Sequence, residues 1–254
     1  DERTAIRTLR AAKRQLRAMI HRDINHPSIV LWSVSNETDE SRPEVAAGNA
    51  DLIRLAKRLD PTRLAVHVSD RWRDHPHFTA DDVLCINGYP GYEAMRQQDE
   101  LDFPALTEYW RTELAKLHTR YPDRPILITE FGYPAVYGSP DGALGTDTQA
   151  EVIEHEYKGM DAPYICGTTL WCWADHPWPE QTFAYYNDLN QSPFGVLTRN
   201  RHGEKRAYHR IRTLFRARKG YPEPETHEEP QASSAGYEVK MVRDHLDDIP
   251  QVAF

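Results

Sequence analysis

Two glutamates each close a short apolar run. Glu37 follows Ile29-Val30-Leu31-Trp32-Ser33-Val34-Ser35-Asn36, and Glu130 follows Ile126-Leu127-Ile128-Thr129. A pair of carboxyl groups can divide the work of cleaving a glycosidic bond. One, protonated, gives its proton to the leaving oxygen; the other attacks the anomeric carbon or activates water. The ends of other apolar runs add Asn36, the stretch His67 to Asp70, Asn87 to Tyr89, and Trp171 to Asp175. Aromatic walls with a few placed amides and hydroxyls are what a small polar ligand requires. An acidic residue after an apolar strand is as a rule a solvated loop residue, so the pattern alone leaves both readings open.

The elements that must carry these residues alternate. Helical spacing over 4–20 (Ile6, Leu9, Leu16, Met19, Ile20), with Thr4 as its N-cap, precedes the break at His26-Pro27. The run 29–34 is continuously apolar, as in a parallel strand covered on both faces. A helix at 43–59 leads to strand Leu64–Val68 and then strand Val83–Asn87, which ends at Tyr89-Pro90-Gly91. A helix at 104–120 precedes strand Ile126–Glu130. A helix at 147–160 precedes the run Ile165–Trp173, and a basic amphipathic helix closes the series at 205–218.

Five strands with helices between most of them predict a parallel α/β fold. Glu37 and Glu130 lie 93 positions apart with two strand ends between them, so each unit takes about 31 residues. That matches the roughly 250 residues per eight units of a (β/α)₈ TIM barrel. No glycine-rich loop follows the first strand, which speaks against a dinucleotide fold. Five strands cannot close such a barrel. The expectation is therefore strands 4–8, with the first three outside this chain.

The chain has 254 residues, 39% hydrophobic and 28% charged, enough for one domain with a buried core. Its formal charge of −8 gives no basic face for nucleic acid. No apolar run reaches the ~18 residues that span a bilayer. The sequence opens on Asp1-Glu2 without a Met and leaves the compartment undecided. Cys85, Cys166 and Cys172 lack metal-ligand spacing and read as small buried hydrophobes. His67, His75, His77 and His176 invite a metal, with His75-X-His77 near Asp70 and Asp74, but no Cys or helical His pair supports one; neither metal nor cofactor is expected. Residues 1–219 are expected to form the domain and 220–236 a Pro-, Glu- and Ser-rich disordered linker. Residues 237–254 are expected to be a tail or the start of another module.

Residues 22–37, Arg-Asp-Ile-Asn-His-Pro-Ser-Ile-Val-Leu-Trp-Ser-Val-Ser-Asn-Glu, closely resemble the acid/base segment of glycoside hydrolase family 2. Three further segments fit in order. Ile126–Gly132 resembles the nucleophile strand, Leu170–Asp175 the eighth strand, and Gly195–Arg201 the segment before the last helix. The resemblance spans about residues 5–218 and is closest to the β-glucuronidase and β-galactosidase branch.

It implies a retaining exo-β-glycosidase acting on terminal β-linked sugars, with Glu37 as acid/base and Glu130 as nucleophile about 5–5.5 Å apart. Asn36 would bond the sugar 2-hydroxyl, Tyr89 would bond the nucleophile, and Trp171 would floor the site. Asn87 and Asp175 are expected at the same mouth. Family parents are often oligomers, which extends the expectation to a homo-oligomer. Uronate-specific members carry Asn-X-Lys before the fourth segment. Here those positions are Ser192-Pro193-Phe194, and no lysine occurs between Lys158 and Lys205. A neutral sugar and a uronate held by arginine both stay open. The alternative is an inactive fragment or carbohydrate-binding remnant of such an enzyme.

Overall fold

The computed structural model describes residues 2–177 and 191–218. The linker and tail expected at 220–236 and 237–254 lie outside them. Five strands form one parallel sheet in sequence order: β1 (Leu31–Asn36), β2 (Leu64–Ser69), β3 (Leu84–Asn87), β4 (Ile126–Phe131) and β5 (Ile165–Leu170). Helices α1 (Glu2–Asp23), α2 (Pro43–Leu59), α3 (Pro90–Gln97), α4 (Phe103–Arg120), α5 (Thr146–Gly159) and α6 (Arg206–Arg218) accompany them. The two-residue strands β6 (His176–Pro177) and β7 (Gln191–Ser192) pair antiparallel.

Alternation along the strands sorts residues onto two faces. Trp32 and Ala65 pack with Leu16 and Ile20 of α1 and Leu52, Ile53 and Ala56 of α2. Leu84, Ile86, Ile126 and Ile128 join the main core with Trp110, Leu114, Val152 and Ile153 from α4 and α5. The intervening positions Val66, Val68 and Cys85 form a smaller cluster on the other face with Val83, Leu31 and Leu127. Among the described residues β1 and β5 each have one strand partner, so the sheet is an arc of a barrel.

Helix boundaries follow local chemistry. Pro43 and Pro90 occupy the first turns of α2 and α3, where a missing N–H costs nothing. Asp102 caps α4 by accepting from Ala105 N at 3.0 Å. Four expectations change. Helix α1 begins at Glu2, so Thr4 lies inside it instead of capping it. The segment Tyr89-Pro90-Gly91, at which strand 83–87 was expected to end, opens α3, a helix that was not expected. Strand β5 stops at Leu170, because beyond it Cys172 N donates to Phe194 O and Val196 N to Cys172 O. Segment 172–175 thus pairs with 194–197 and leaves the sheet. Cys85 is buried but Cys166 is exposed and Cys172 half-buried; Cys166 sits on β5, which among the described residues has a strand neighbour on one side.

The junction is pinned by Lys205, 1% exposed. Its ammonium donates to Asp175 Oδ1 (2.7 Å), Ala135 O (2.7 Å) and Pro193 O (3.0 Å). Gly195 N donates to the same Asp175 oxygen at 2.9 Å. Burial opposes charge on both groups, raising the Asp175 pKa and lowering that of Lys205, and each partner's charge works against it. Removing one member leaves an uncompensated buried charge. Lys205→Met is therefore expected to lower the unfolding free energy by about 3–5 kcal/mol in urea titration. Adding Asp175→Leu should recover most of that loss; an equal loss in the double variant would show that the stranded charge is not the cause.

Candidate active site

The strand ends converge on one mouth. Asn36 ends β1, Asn87 ends β3, and Glu130 is the penultimate residue of β4, paired in register with Asn87. Glu37 is the first residue past β1. Its N–H still donates to Val68 O at 3.0 Å, yet its φ is 50°, in the left-handed region that non-glycine residues adopt uncommonly. This turn points the chain out of the sheet at an exposed acidic side chain.

Asn87, 1% exposed, joins the two acids. Its Nδ2 donates to Glu37 Oε1 at 2.7 Å and Asn36 Oδ1 at 3.2 Å. In the sheet it is paired in register with Glu130. Its Oδ1 accepts from Thr129 Oγ1 at 2.7 Å, and its main-chain carbonyl accepts from Trp72 Nε1 at 2.9 Å. Tyr89 OH donates to Glu130 Oε2 at 2.5 Å.

The half-buried Glu130 feels opposed influences. Burial raises its pKa, the Tyr89 hydroxyl lowers it, the charge of Glu37 raises it, and the Asn87 amide lowers it. The same surroundings, burial first and the Glu130 charge next, raise the Tyr89 phenol far above its ordinary value. Tyr89 therefore stays a hydrogen-bond donor.

Packing sets the Tyr89 ring. Phe194 meets it edge-on at 5.8 Å and Tyr92 at 6.5 Å. Gly88 is small of necessity, since a Cβ there would stand 2.6 Å from Trp110 Cη2. Trp171, 36% exposed, is the first residue past β5, with its N–H on Phe131 O at the end of β4 and its ring edge-on to His176. The structure thus brings Glu37, Glu130, Asn36, Asn87 and Tyr89 into one network, with Trp171 at its rim. Asp175 is different: it is 5% exposed and bound to Lys205 and Gly195 N, a structural ion pair.

One member of the network went unread in the sequence. Thr129, one residue before Glu130, orients the Asn87 amide; its place beside the acid was the available signal. His67, expected at the mouth with the strand end 67–70, is instead buried against Asp81 and Glu40, and nothing in its neighbourhood in sequence names those partners.

Residues 4–190 match the family model described as glycosyl hydrolases family 2, TIM barrel domain. Among curated proteins, the β-glucuronidase of Streptococcus agalactiae serotype V is 28% identical over 204 residues, covering 77% of this chain and 33% of that protein. The β-glucuronidase of Paenibacillus borealis is 28% identical over 213 residues, covering 81% and 34%. Among solved structures, the β-D-glucuronidase of Dictyoglomus thermophilum superposes with a TM-score of 0.73 at 26% identity, over 87% of this chain and 37% of that one. The chain spans about a third of the length of the curated relatives it matches.

Tyr89→Phe removes a donor to Glu130 without removing the ring. The Glu130 midpoint, followed by carboxyl ¹³C NMR, is expected to move upward, because burial and the Glu37 charge are then less opposed. An unchanged midpoint would mean that the hydroxyl does not stabilise the carboxylate.

Proposed function

The chain belongs to glycosyl hydrolase family 2, and from that premise we propose that the protein hydrolyses terminal β-linked sugars with retention of configuration. The observation that carries the reading is the meeting of two acids at strand ends, Glu37 held by the Asn87 amide and Glu130, in register with Asn87, held by the Tyr89 hydroxyl.

In the first step Glu130 attacks the anomeric carbon while Glu37 gives its proton to the departing oxygen. The sugar is left covalently on Glu130. In the second step Glu37, now a carboxylate, takes a proton from water, and that water attacks the same carbon and frees Glu130. Two inversions make a retention.

Asn36 accepts from Asn87 on its Oδ1, so its own amide N–H groups are what it offers the sugar 2-hydroxyl. Trp171 offers an aromatic face at the rim. The names of the relatives point to β-glucuronides. The segment Ser192-Pro193-Phe194 holds no lysine, and Phe194 is buried against Tyr89 and Tyr92. Glucuronides and neutral galactosides are therefore both candidate substrates. One observation favours a second reading, a carbohydrate-binding remnant without turnover: β1 and β5 each lack a second partner among the described residues.

A panel of 2-deoxy-2-fluoro β-glycosides followed by peptide mass mapping separates the two. Label on the peptide holding Glu130, absent from Glu130→Gln, is the expected result, and the fastest sugar identifies the substrate class. Folded protein that binds the sugars but takes no label from any of them would favour the remnant. For an active protein, Glu37→Gln is expected to lower turnover of substrates with poor leaving groups by about 10²–10⁴-fold. Fluoride release from an activated glycosyl fluoride should suffer far less.

A further inference from the structure

Glu37 holds a left-handed backbone with its side chain exposed, so neighbouring structure must keep it there. The grip comes from β2. Val68 O takes the Glu37 N–H, and three residues later Glu40 is fully buried against the same strand. Ser69 Oγ donates to Glu40 Oε2, and His67 Nε2 faces Glu40 Oε1 at 3.4 Å, an ion-pair distance. On the other side of the ring, Nδ1 lies 2.7 Å from Asp81 Oδ1, which also accepts the His67 main-chain N–H at 2.7 Å. Asn49 of α2 donates to Thr38 Oγ1 and accepts from Ser35 Oγ, both at 2.9 Å. The loop is thereby tied to α2 and back to β1.

A buried carboxylate without a counter-charge is strongly disfavoured. Among the described residues, the ring of His67 is the one titratable base that lies against both Asp81 and Glu40. We propose that His67 is a positioning residue for the reaction: as an imidazolium between Asp81 and Glu40, it pins the loop that begins at Glu37 and so aims the acid/base carboxyl. This rests on the reading of Glu37 as acid/base.

The titration agrees with the geometry. Burial alone would lower the His67 pKa, but the bonds and charges of Asp81 and Glu40 outweigh it and hold the ring at about 9. Other titratable groups surround it. Asp70, just past β2, is raised mainly by burial, with Arg71 opposing and Glu40 adding to the rise. Cys85 on β3 is pushed up to about 12 by burial and then by Asp81. Arg71 and Asp39 pair at 3.2 Å at the surface of the same loop, and α2 contributes the neutral Asn49. The folded pKa of His67 lies above its ordinary 6.5. The clamp therefore acts in full below about pH 6.5 and is lost as pH rises through about 9.

Hydrogen exchange of the Glu37 amide, expressed as protection, tests this alongside ¹⁵N shifts of the His67 ring. The ring should be an imidazolium at about pH 7.5, and Glu37 protection should fall about tenfold by about pH 10, with β3 and β4 amides unchanged. His67→Gln should show the low protection already at neutral pH. Glu40→Gln, which needs no counter-charge, should abolish the pH dependence. In turnover, His67→Gln should lower kcat about tenfold with KM little changed, since Glu37 alone is misaimed. A ring that titrates near 6.5 would overturn the proposal, as would unchanged Glu37 protection in His67→Gln or equal loss across β3 and β4. The exchange and ring readouts need no glycoside. A failure of Glu130 to take label would refute the proposed function and leave these readouts standing.

Discussion

Two carboxyl groups share one small mouth, and the Asn87 side chain is what makes that tolerable. The Glu37 charge raises the Glu130 pKa. The Asn87 amide donates to Glu37, and the Tyr89 hydroxyl donates to the half-buried Glu130. Asn87 can do so only if its nitrogen faces Glu37. The Thr129 hydroxyl settles the direction by donating to Oδ1, and Trp72 holds the backbone of the same residue. An amide turned the other way would present oxygen to the Glu37 carboxylate.

The rest of the fold serves this arrangement by fixing three strand ends. A parallel sheet brings equivalent ends to one side, so residues 36, 87 and 130 meet although they are far apart in the chain. The Tyr89 arm is set from below. Helix α3 starts one residue later, and Gly91 N–H donates to Glu156 Oε1 at 3.1 Å from α5. Glu156 has no exposure, and burial raises its pKa well above the ordinary value. A Cβ at Gly91 would stand 2.6 Å from Val152 Cγ1, which makes the glycine part of this close approach. The Asp175–Lys205 pair does a parallel job for the segment that leaves β5 and carries Trp171.

Local chemistry explains what was legible in the chain. The span of α2 was readable as 43–59 because Pro43 opens it and an apolar stripe runs through it. The two glutamates stood out because each closes an apolar run. The misreadings have equally local causes. Tyr89-Pro90-Gly91 carries turn residues, yet proline is also at home in a first helical turn, and eight residues are too few to show a helical period. The run 165–173 stays apolar past Leu170, yet there its main chain bonds segment 194–197 and Trp171 and Trp173 are exposed.

The sequence by itself determined the succession of strands and helices, the parallel class, and the placing of Glu37 and Glu130 at strand ends. These follow from apolar periodicity and breakers acting within a few residues. Tertiary structure alone decided which polar groups meet. Asp175, a candidate for the mouth by its place after the eighth-strand segment, is taken by Lys205 thirty residues on. His67, one of several histidines in the chain, lies between Glu40 and Asp81. Such pairings depend on distance in space and on desolvation at the meeting point, and neither quantity is written in the order of the residues.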